Sequence, residues 1–252
     1  MTRSILLALF VCAGLAGCRP ADPDPSSEAY REAVYNFFSA LARIQAGEDL
    51  GAEERLLRVT ELAPAEPAAW ANLGLLALRR NDLEAAAARL ERARSLAPDA
   101  GPVLLLSGLM EQVRGNADAA EAYLRRAVEA DPENLHALYA LATLLRDRGT
   151  PEATAEALRL IDRILARQPD NLAALIEKAR LAAALGDAET LRVTVDRLAA
   201  QAEAWPPEAR EHLLALRQAP PDQAAQPAAF LENLLRREAA YREDLAALED
   251  EG

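Results

Sequence analysis

The side chains that most often perform chemistry in proteins are scarce in this sequence. Only two His and two Cys occur among 252 residues. His136 and His212 are far apart along the chain, and neither lies in a zinc-binding or triad motif. Ser107 lies in Leu-Leu-Ser-Gly, which lacks the flanking glycine pair of a nucleophile elbow. The sequence therefore predicts no catalytic residue, no metal site, no cofactor and no enzymatic activity.

Composition and charge favour a helical protein that binds other molecules. Lys and Arg total 28 against 40 Asp and Glu, which gives a net charge of −12 at pH 7. Nucleic-acid affinity comes from neutralising phosphates, so a chain this acidic is predicted not to bind nucleic acid. Hydrophobic residues make up 51% of the chain, and most of them are Ala and Leu, which are strong helix formers. We expect an all-α fold.

The first seventeen residues have the pattern of a targeting signal. Arg3 precedes an uncharged, mostly apolar run from Ile5 to Gly17, which is followed by Cys18. A membrane-spanning helix needs about 20 apolar residues, so this run has the length of a signal-peptide core instead. Residues 1–17 are therefore predicted to be a signal peptide. The alternative to a special role for Cys18 is an ordinary secretory signal in which this Cys is incidental.

The segment Leu15-Ala16-Gly17-Cys18 resembles the lipobox of bacterial lipoproteins. The resemblance implies cleavage after Gly17, lipid attachment to Cys18 and anchoring to a membrane. Residues 18–27 contain three prolines and are predicted to be an extended tether. In lipoproteins of double-membraned bacteria an Asp directly after the Cys often signals inner-membrane retention. Arg19 stands there, so the resemblance implies the outer membrane, facing the periplasm.

Two independent sets of markers repeat every 34 residues. Prolines recur with spacings of 34, 34 and 37, and short helix breakers recur with spacings of 34, 34, 34 and 37. Both sets contain the same three-residue insertion, which falls near Thr150 to Glu152. Such breakers close helices because Gly and Asn tolerate the left-handed conformation. The markers are Pro64, Pro98, Pro132 and Pro169, and Gly47, Asn81, Gly115, Gly149 and Gly186.

The repeated unit resembles the tetratricopeptide repeat. The clearest unit has Trp, Leu-Gly, Ala, Leu, Ala and Pro at the family's spacing, at Trp70, Leu73, Gly74, Ala86, Leu90, Ala93 and Pro98. Small residues at Gly74 and Ala86 would let the two helices of a unit approach closely. The resemblance covers about residues 28–205 and implies an α-solenoid of about five antiparallel helix pairs, which must stack to bury their apolar faces.

In tetratricopeptide proteins the first helix of each pair lines a concave groove that binds a protein or peptide segment. The resemblance implies that the groove of this chain includes Phe37, Leu41, Asn72, Arg79, Gln112, His136, Tyr139, Arg146 and Arg180. The hypothesis is that an extended or helical peptide places apolar anchors first and an acidic group near Arg146 and Arg180. The alternative is that His136 and Tyr139 only pack against a neighbouring helix and the arginines are solvated.

Residues 206–252 continue as helix, predicted at about 207–218 and 228–249. Apolar residues recur at helical spacing in the second segment, including Phe230, Tyr241 and Leu248. A helical cap on the end of the solenoid is the preferred interpretation because terminal repeats need a polar cover. A partner-binding helix, the start of a longer architecture and a surface for homo-oligomers are the alternatives.

These features together predict a membrane-anchored scaffold or assembly factor of the bacterial cell envelope. The layout resembles that of lipoproteins that assist outer-membrane protein assembly or secretin assembly for type IV pili. An accessory or regulatory lipoprotein that binds a cell-wall enzyme is the competing class. The segment from Pro67 to Arg79 also resembles the tetratricopeptide region of extracellular proteins with FG-GAP β-propellers, which suggests a separate propeller as partner.

Overall fold

The computed structural model describes residues 23–220, 223–235 and 239–249, and this part of the chain contains helices and turns without strands. Apolar residues recur at helical spacing along it, so most of its helices bury one face. The thirteen α-helices are α1 Glu28–Gln45, α2 Asp49–Leu62, α3 Pro67–Arg79, α4 Leu83–Leu96, α5 Gly101–Val113, α6 Ala117–Ala130, α7 Leu135–Arg148, α8 Pro151–Arg167, α9 Leu172–Leu185, α10 Ala188–Gln201, α11 Pro207–Gln218, α12 Ala225–Leu235 and α13 Ala239–Glu249. A 3₁₀ turn, Ala202–Ala204, follows α10.

The first ten helices form five consecutive pairs. The closest packing in the described chain joins α1 with α2, α3 with α4, α5 with α6 and α7 with α8, and each pair also packs on the next. Loops of two to four residues connect the helices, which places neighbours side by side in opposite directions. The prediction of an all-α solenoid built from helix pairs is confirmed.

The turn inside each pair has one geometry in all five pairs. Gly47, Gly115, Gly149 and Gly186 have φ values of 74°, 80°, 68° and 67°, and Asn81 has a φ of 58°. This left-handed conformation ends the first helix and reverses the chain, and it carries little steric penalty for Gly and Asn. The short helix breakers that repeat in the sequence therefore mark the turn inside each helix pair.

The two helices of a pair approach closely at the small residues. A Cβ atom added to Gly74 would lie 2.7 Å from Cγ of Leu90, and one added to Gly108 would lie 2.7 Å from Cγ of Leu124. Ala86 and Ala120 lie one helical turn before these leucines on the second helices and are fully buried. A larger residue at either glycine would overlap the leucine of its own pair.

Capping side chains start several of the first helices. Asn134 Oδ1 accepts a hydrogen bond from the Ala137 N–H, and Asn171 Oδ1 accepts one from the Ala174 N–H, each at 2.9 Å. In α5 the N-cap position is held by Ala100, which has no capping side chain, and the preceding Asp99 accepts a hydrogen bond from Arg126 at 2.9 Å.

The three-residue insertion lengthens one helix. Helix α8 has 17 residues, whereas α2, α4, α6 and α10 have 14 each. The hydroxyl of Thr150 accepts a hydrogen bond from the Ala153 N–H at 3.2 Å, and Pro151 occupies the first helical position. The extra residues therefore extend α8 at its amino end and leave the repeat register intact.

The carboxyl-terminal helices α11, α12 and α13 cap the solenoid. Helix α11 packs on α10, α12 packs on α11 and α9, and α13 packs on α9 and α7. Of the helix predicted over about 228–249, the described parts are helical, as α12 and α13, and these two pack on different sets of solenoid helices. The cap therefore covers more than the end of the solenoid.

The predicted signal peptide and Cys18 lie outside the described residues, as do residues 19–22 of the predicted tether. The end of that segment is described: the Ser27 hydroxyl accepts a hydrogen bond from the Tyr30 N–H at 3.1 Å and caps α1. None of the helices in the described ranges is long and apolar enough to cross a membrane.

Candidate functional site

The first helices of the pairs form the inner groove, which is defined here as the shared surface of α1, α3, α5, α7 and α9. Helix α3 contacts α5, and α5 contacts α7, whereas no comparable contact joins the described second helices. The first helices are therefore closer together than the second helices, so they line the inside of the curved solenoid.

Aromatic and aliphatic side chains line the amino-terminal end of the inner groove. Phe37 and Leu41 are half-buried and pack against the core shared by α1, α2 and α3. Phe38 lies beside them, edge-to-face with Phe37 at 5.9 Å between ring centroids, and 41% of its surface is exposed. In the repeat register Phe38 corresponds to Leu106 and Ala140, since the positions differ by 68 and 102 residues.

A cavity of about 270 Å³ opens in the middle of the inner groove. Three of the predicted groove residues, Gln112, His136 and Tyr139, line it together. The remaining lining residues are Leu75, Leu105, Leu106, Leu109, Ala140, Thr143 and Leu248. The wall of this cavity is apolar with a few polar groups, so it can accept an apolar side chain of a ligand that has hydrogen-bonding groups beside it.

Two other predicted groove residues already bond within the chain. The amide of Asn72 donates to the Ala68 carbonyl oxygen at 2.9 Å, one turn earlier in α3. The guanidinium of Arg79 lies 3.2 Å from Asp49 Oδ1 and 3.5 Å from the Ile44 carbonyl oxygen, which links α3 to the preceding pair. Both side chains therefore have a structural role at the amino-terminal half of the groove.

Arg146 and Arg180 belong to a buried ionic network. Nη1 of Arg146 donates to both carboxylate oxygens of Glu177 at 3.0 Å. Arg180 Nη1 lies 3.5 Å from Glu177 and donates to Glu232 of α12. The two arginines therefore pair with the chain's own carboxylates. Both guanidiniums form ion pairs within the chain, whereas the alternative had them only solvated. That they bind an acidic group of a partner stays a prediction.

Burial dominates the electrostatics of this network. Only 3% of the Glu177 surface is exposed, and this burial raises the pKa of its carboxyl although Arg146 and Arg180 favour the charged form. Burial and the two guanidiniums therefore act on this carboxyl in opposite directions, and the ion pairs fix the positions of α7, α9 and α12 relative to one another.

Sequence reasoning missed the groove residues that come from the carboxyl terminus. Leu248 of α13 lines the central cavity, and the Asp244 carboxylate of α13 accepts a hydrogen bond from the Leu172 N–H at 2.6 Å. Their helical spacing was visible in the sequence, but nothing there assigned them to the inside of the solenoid. Across residues 23–220, 223–235 and 239–249, no group of three His, Cys, Asp or Glu side chains is placed to hold a metal ion.

Comparison with known proteins identifies the repeat. The tetratricopeptide-repeat family model matches residues 114–134, which span the turn before α6, α6 itself and the loop after it. The chain has the tetratricopeptide-repeat fold. PilF of Pseudomonas aeruginosa has a similar structure, with a TM-score of 0.65 and 19% sequence identity over 87% of this chain and 99% of PilF.

Two further solved tetratricopeptide structures are similar. PilW, described as a widely conserved type IV pilus biogenesis factor, has a TM-score of 0.62 and 19% identity over 84% of this chain and 98% of PilW. YrrB, described as a protein with an unusual peptide-binding site, has a TM-score of 0.53 and 19% identity over 70% of this chain and 91% of YrrB. No protein of curated function matches the sequence.

Proposed function

We propose that this tetratricopeptide chain is a lipid-anchored scaffold of the bacterial cell envelope, which binds a segment of another protein in its inner groove. The observation that carries the proposal is the central cavity, where apolar side chains from three successive first helices surround Gln112, His136 and Tyr139. Aromatic and aliphatic pockets of this kind are where interfaces concentrate their affinity. The chain acts by binding and performs no catalysis.

The similar structures support an assembly role in the envelope. PilW is described as a pilus biogenesis factor, and YrrB is described as having a peptide-binding site. The lipobox-like segment ending at Cys18 adds the expected membrane anchor, and Arg19 favours the outer membrane, facing the periplasm. The accessory role toward a cell-wall enzyme, the propeller partner and a homo-oligomer stay alternatives that the same capture experiment separates.

Partner capture tests the groove directly. Phe38→Glu combined with Gln112→Glu places two carboxylates on the inner groove at half-exposed or exposed positions, so we expect at least a tenfold loss of the crosslinked partner from native membranes. The matched control is Leu50→Glu with Leu57→Glu, which adds the same charge on exposed positions of α2. Mass spectrometry identifies the partner and measures its yield.

The outcome of capture separates the surfaces. A partner that the control retains and the groove variant loses supports the groove, provided that circular dichroism gives the same helicity for both variants. Equal capture by both variants would move the interface to the outer face or to the terminal helices and would contradict the proposed groove function.

Lipidation depends on a single cysteine in this proposal. Cys18→Ser should abolish incorporation of labelled palmitate and release the protein from the membrane fraction, because the acyl chains provide the anchor. Cys12→Ser is the matched control and should keep the label, since Cys12 lies in the predicted signal peptide. Label that persists in Cys18→Ser would show that the anchor is elsewhere.

A further inference from the structure

Helix α13 lies where a groove ligand of a tetratricopeptide protein would lie. It packs on α7 and α9, which are the first helices of the fourth and fifth pairs, and Leu248 near its end lines the central cavity with residues of α3, α5 and α7. A cap on the end of the solenoid needs only contacts with the last pair. Helix α13 instead reaches back along the inner groove toward its amino-terminal half.

The contacts of α13 follow the pattern of a helix bound in a groove. Tyr241 and Leu248 are each 1% exposed, and Leu245 between them is half-buried against the same core. The spacing of four and three residues places all three on one helix face, which is how amphipathic helices anchor in apolar grooves. Arg242 and Glu243 are exposed on the opposite side.

A polar contact fixes the register of α13 in the groove. Asp244 Oδ2 accepts a hydrogen bond from the Leu172 N–H, and the Asp244 carbonyl oxygen accepts one from the Asn171 amide at 3.0 Å. The carboxylate therefore lies at the amino terminus of α9, where the unpaired N–H groups and the helix dipole favour a negative charge. An apolar helix face with one acidic residue at the amino terminus of α9 is the pattern of a specifically bound helix. A helix that only shields apolar surface from water would not need the acidic residue.

The groove extends beyond the part that α13 covers. Phe38 and Val34 of α1 are 41% and 36% exposed, and no described helix of the cap contacts α1 or α3 extensively. The central cavity beneath Leu248 also stays open. A ligand that fills this cavity and continues over α3 and α1 can therefore make contacts that α13 does not make.

We propose that α13 is a tethered ligand of the inner groove and that it is exchanged for an amphipathic helix of a partner protein. The partner helix carries the same pattern as α13. An aromatic residue is followed by an acidic residue three positions later and by leucines four and seven positions later, as in Tyr241, Asp244, Leu245 and Leu248. This inference rests on the proposed groove function and names the class of partner. Because α13 follows α12 after only three residues, its effective concentration is high, and it excludes weak ligands.

A peptide assay on the full chain tests the exchange without the partner. The probe is a fluorescent peptide with the sequence of residues 239–252, and its binding is measured by anisotropy. Asp244→Lys in the protein places a cation at the amino terminus of α9, and Tyr241→Ala removes the largest anchor, so each change weakens the tethered helix and leaves the groove intact. We expect the peptide to bind each variant at least tenfold more tightly than it binds the wild type.

Two controls show that the binding is specific. Glu243→Ala changes an exposed residue of α13 and should leave the peptide affinity at the wild-type level. A peptide carrying Asp244→Lys should bind the released variants at least tenfold more weakly than the wild-type peptide, because it cannot accept the Leu172 N–H. Equal, weak binding of the wild-type peptide to all proteins would overturn the proposal.

The stability of the released variants is also decisive. Asp244 is a half-exposed polar residue, so Asp244→Lys should keep the helical content of the wild type even where Tyr241→Ala lowers it. If both variants lose their helices, α13 is an integral part of the solenoid and not an exchangeable ligand, and the proposal is wrong. If the peptide assay succeeds and the groove variant captures the partner as well as the control does, only the proposed function is rejected. If capture depends on the groove and the peptide assay fails, only the exchange of α13 is rejected.

Discussion

Replacing Gly108 by leucine is expected to lower the free energy of unfolding by about 3 kcal/mol. A Cβ atom at this position would lie 2.7 Å from Cγ of Leu124 and 3.3 Å from the backbone oxygen of Ala120. Both neighbours are fully buried, so the leucine cannot turn toward solvent, and the backbone of α6 cannot move without disturbing the next pair. Gly108→Ala should lose less, because it adds one carbon atom in place of four.

A second glycine on the same helix provides the matched control. A Cβ atom at Gly101 would meet no neighbour closer than 3.8 Å. Gly101→Ala should therefore raise the free energy of unfolding by about 0.5 kcal/mol, since alanine restricts the unfolded chain and favours the helix. Urea denaturation followed by circular dichroism measures both changes. Wild-type stability of Gly108→Leu would contradict the observed packing of α5 on α6.

Replacing Glu177 by alanine should lower the free energy of unfolding by about 3 kcal/mol, which is the lower end of the range for breaking a buried ion pair. The change removes the carboxylate whose two oxygens both lie 3.0 Å from Nη1 of Arg146. The loss stays at the lower end because Arg146 keeps Asp147 at 2.8 Å and Arg180 keeps Glu232. Denaturation with urea again gives the value.

The control for Glu177 is a carboxylate of the same type on the surface. Glu189 pairs with Arg192 at 2.7 Å, and both side chains are mostly exposed. Glu189→Ala should therefore change the free energy of unfolding by less than about 0.5 kcal/mol. An equally small effect of Glu177→Ala would show that the buried network does not hold α7, α9 and α12 together.

The exchange of α13 would connect this network to partner binding. Glu232 on α12 pairs with Arg180 on α9, and three residues of the chain separate α12 from α13. Release of α13 therefore leaves α12 fixed to the solenoid by its own ion pair, so the released helix stays near the groove. A scaffold with this design keeps its groove covered until a partner helix of the correct pattern arrives.

Much of the fold could be predicted from residue spacing because a solenoid is built from local contacts. The breakers at Gly47, Asn81, Gly115, Gly149 and Gly186 adopt the left-handed conformation that their types suggested. Each small residue faces the second helix of its own pair, about sixteen residues away in the case of Gly74 and Leu90. Short-range patterns are sufficient where each unit packs only on its neighbours.

The inner groove could be predicted only in part. Repeat register placed Gln112, His136 and Tyr139 on one surface, and the structure brings them to one cavity. The partners of the arginines could not be predicted, because Glu177 and Glu232 reach Arg146 and Arg180 only after three helices have packed together. The available signal was the charged group Glu177, Lys178 and Arg180 in a helix whose other residues are all apolar.

The sequence by itself determined the helix pairs, their turns and the order in which they stack, because each of these depends on residues within one or two repeats. It also carried the amphipathic pattern of residues 241–248. Only the tertiary structure decided that this helix packs on α7 and α9, with Asp244 at the amino terminus of α9. That contact joins residues 72 positions apart, and the apolar face of α13 could equally have covered the end of the solenoid. Shape and charge at the inner groove selected its position, and they arise only once the pairs have stacked.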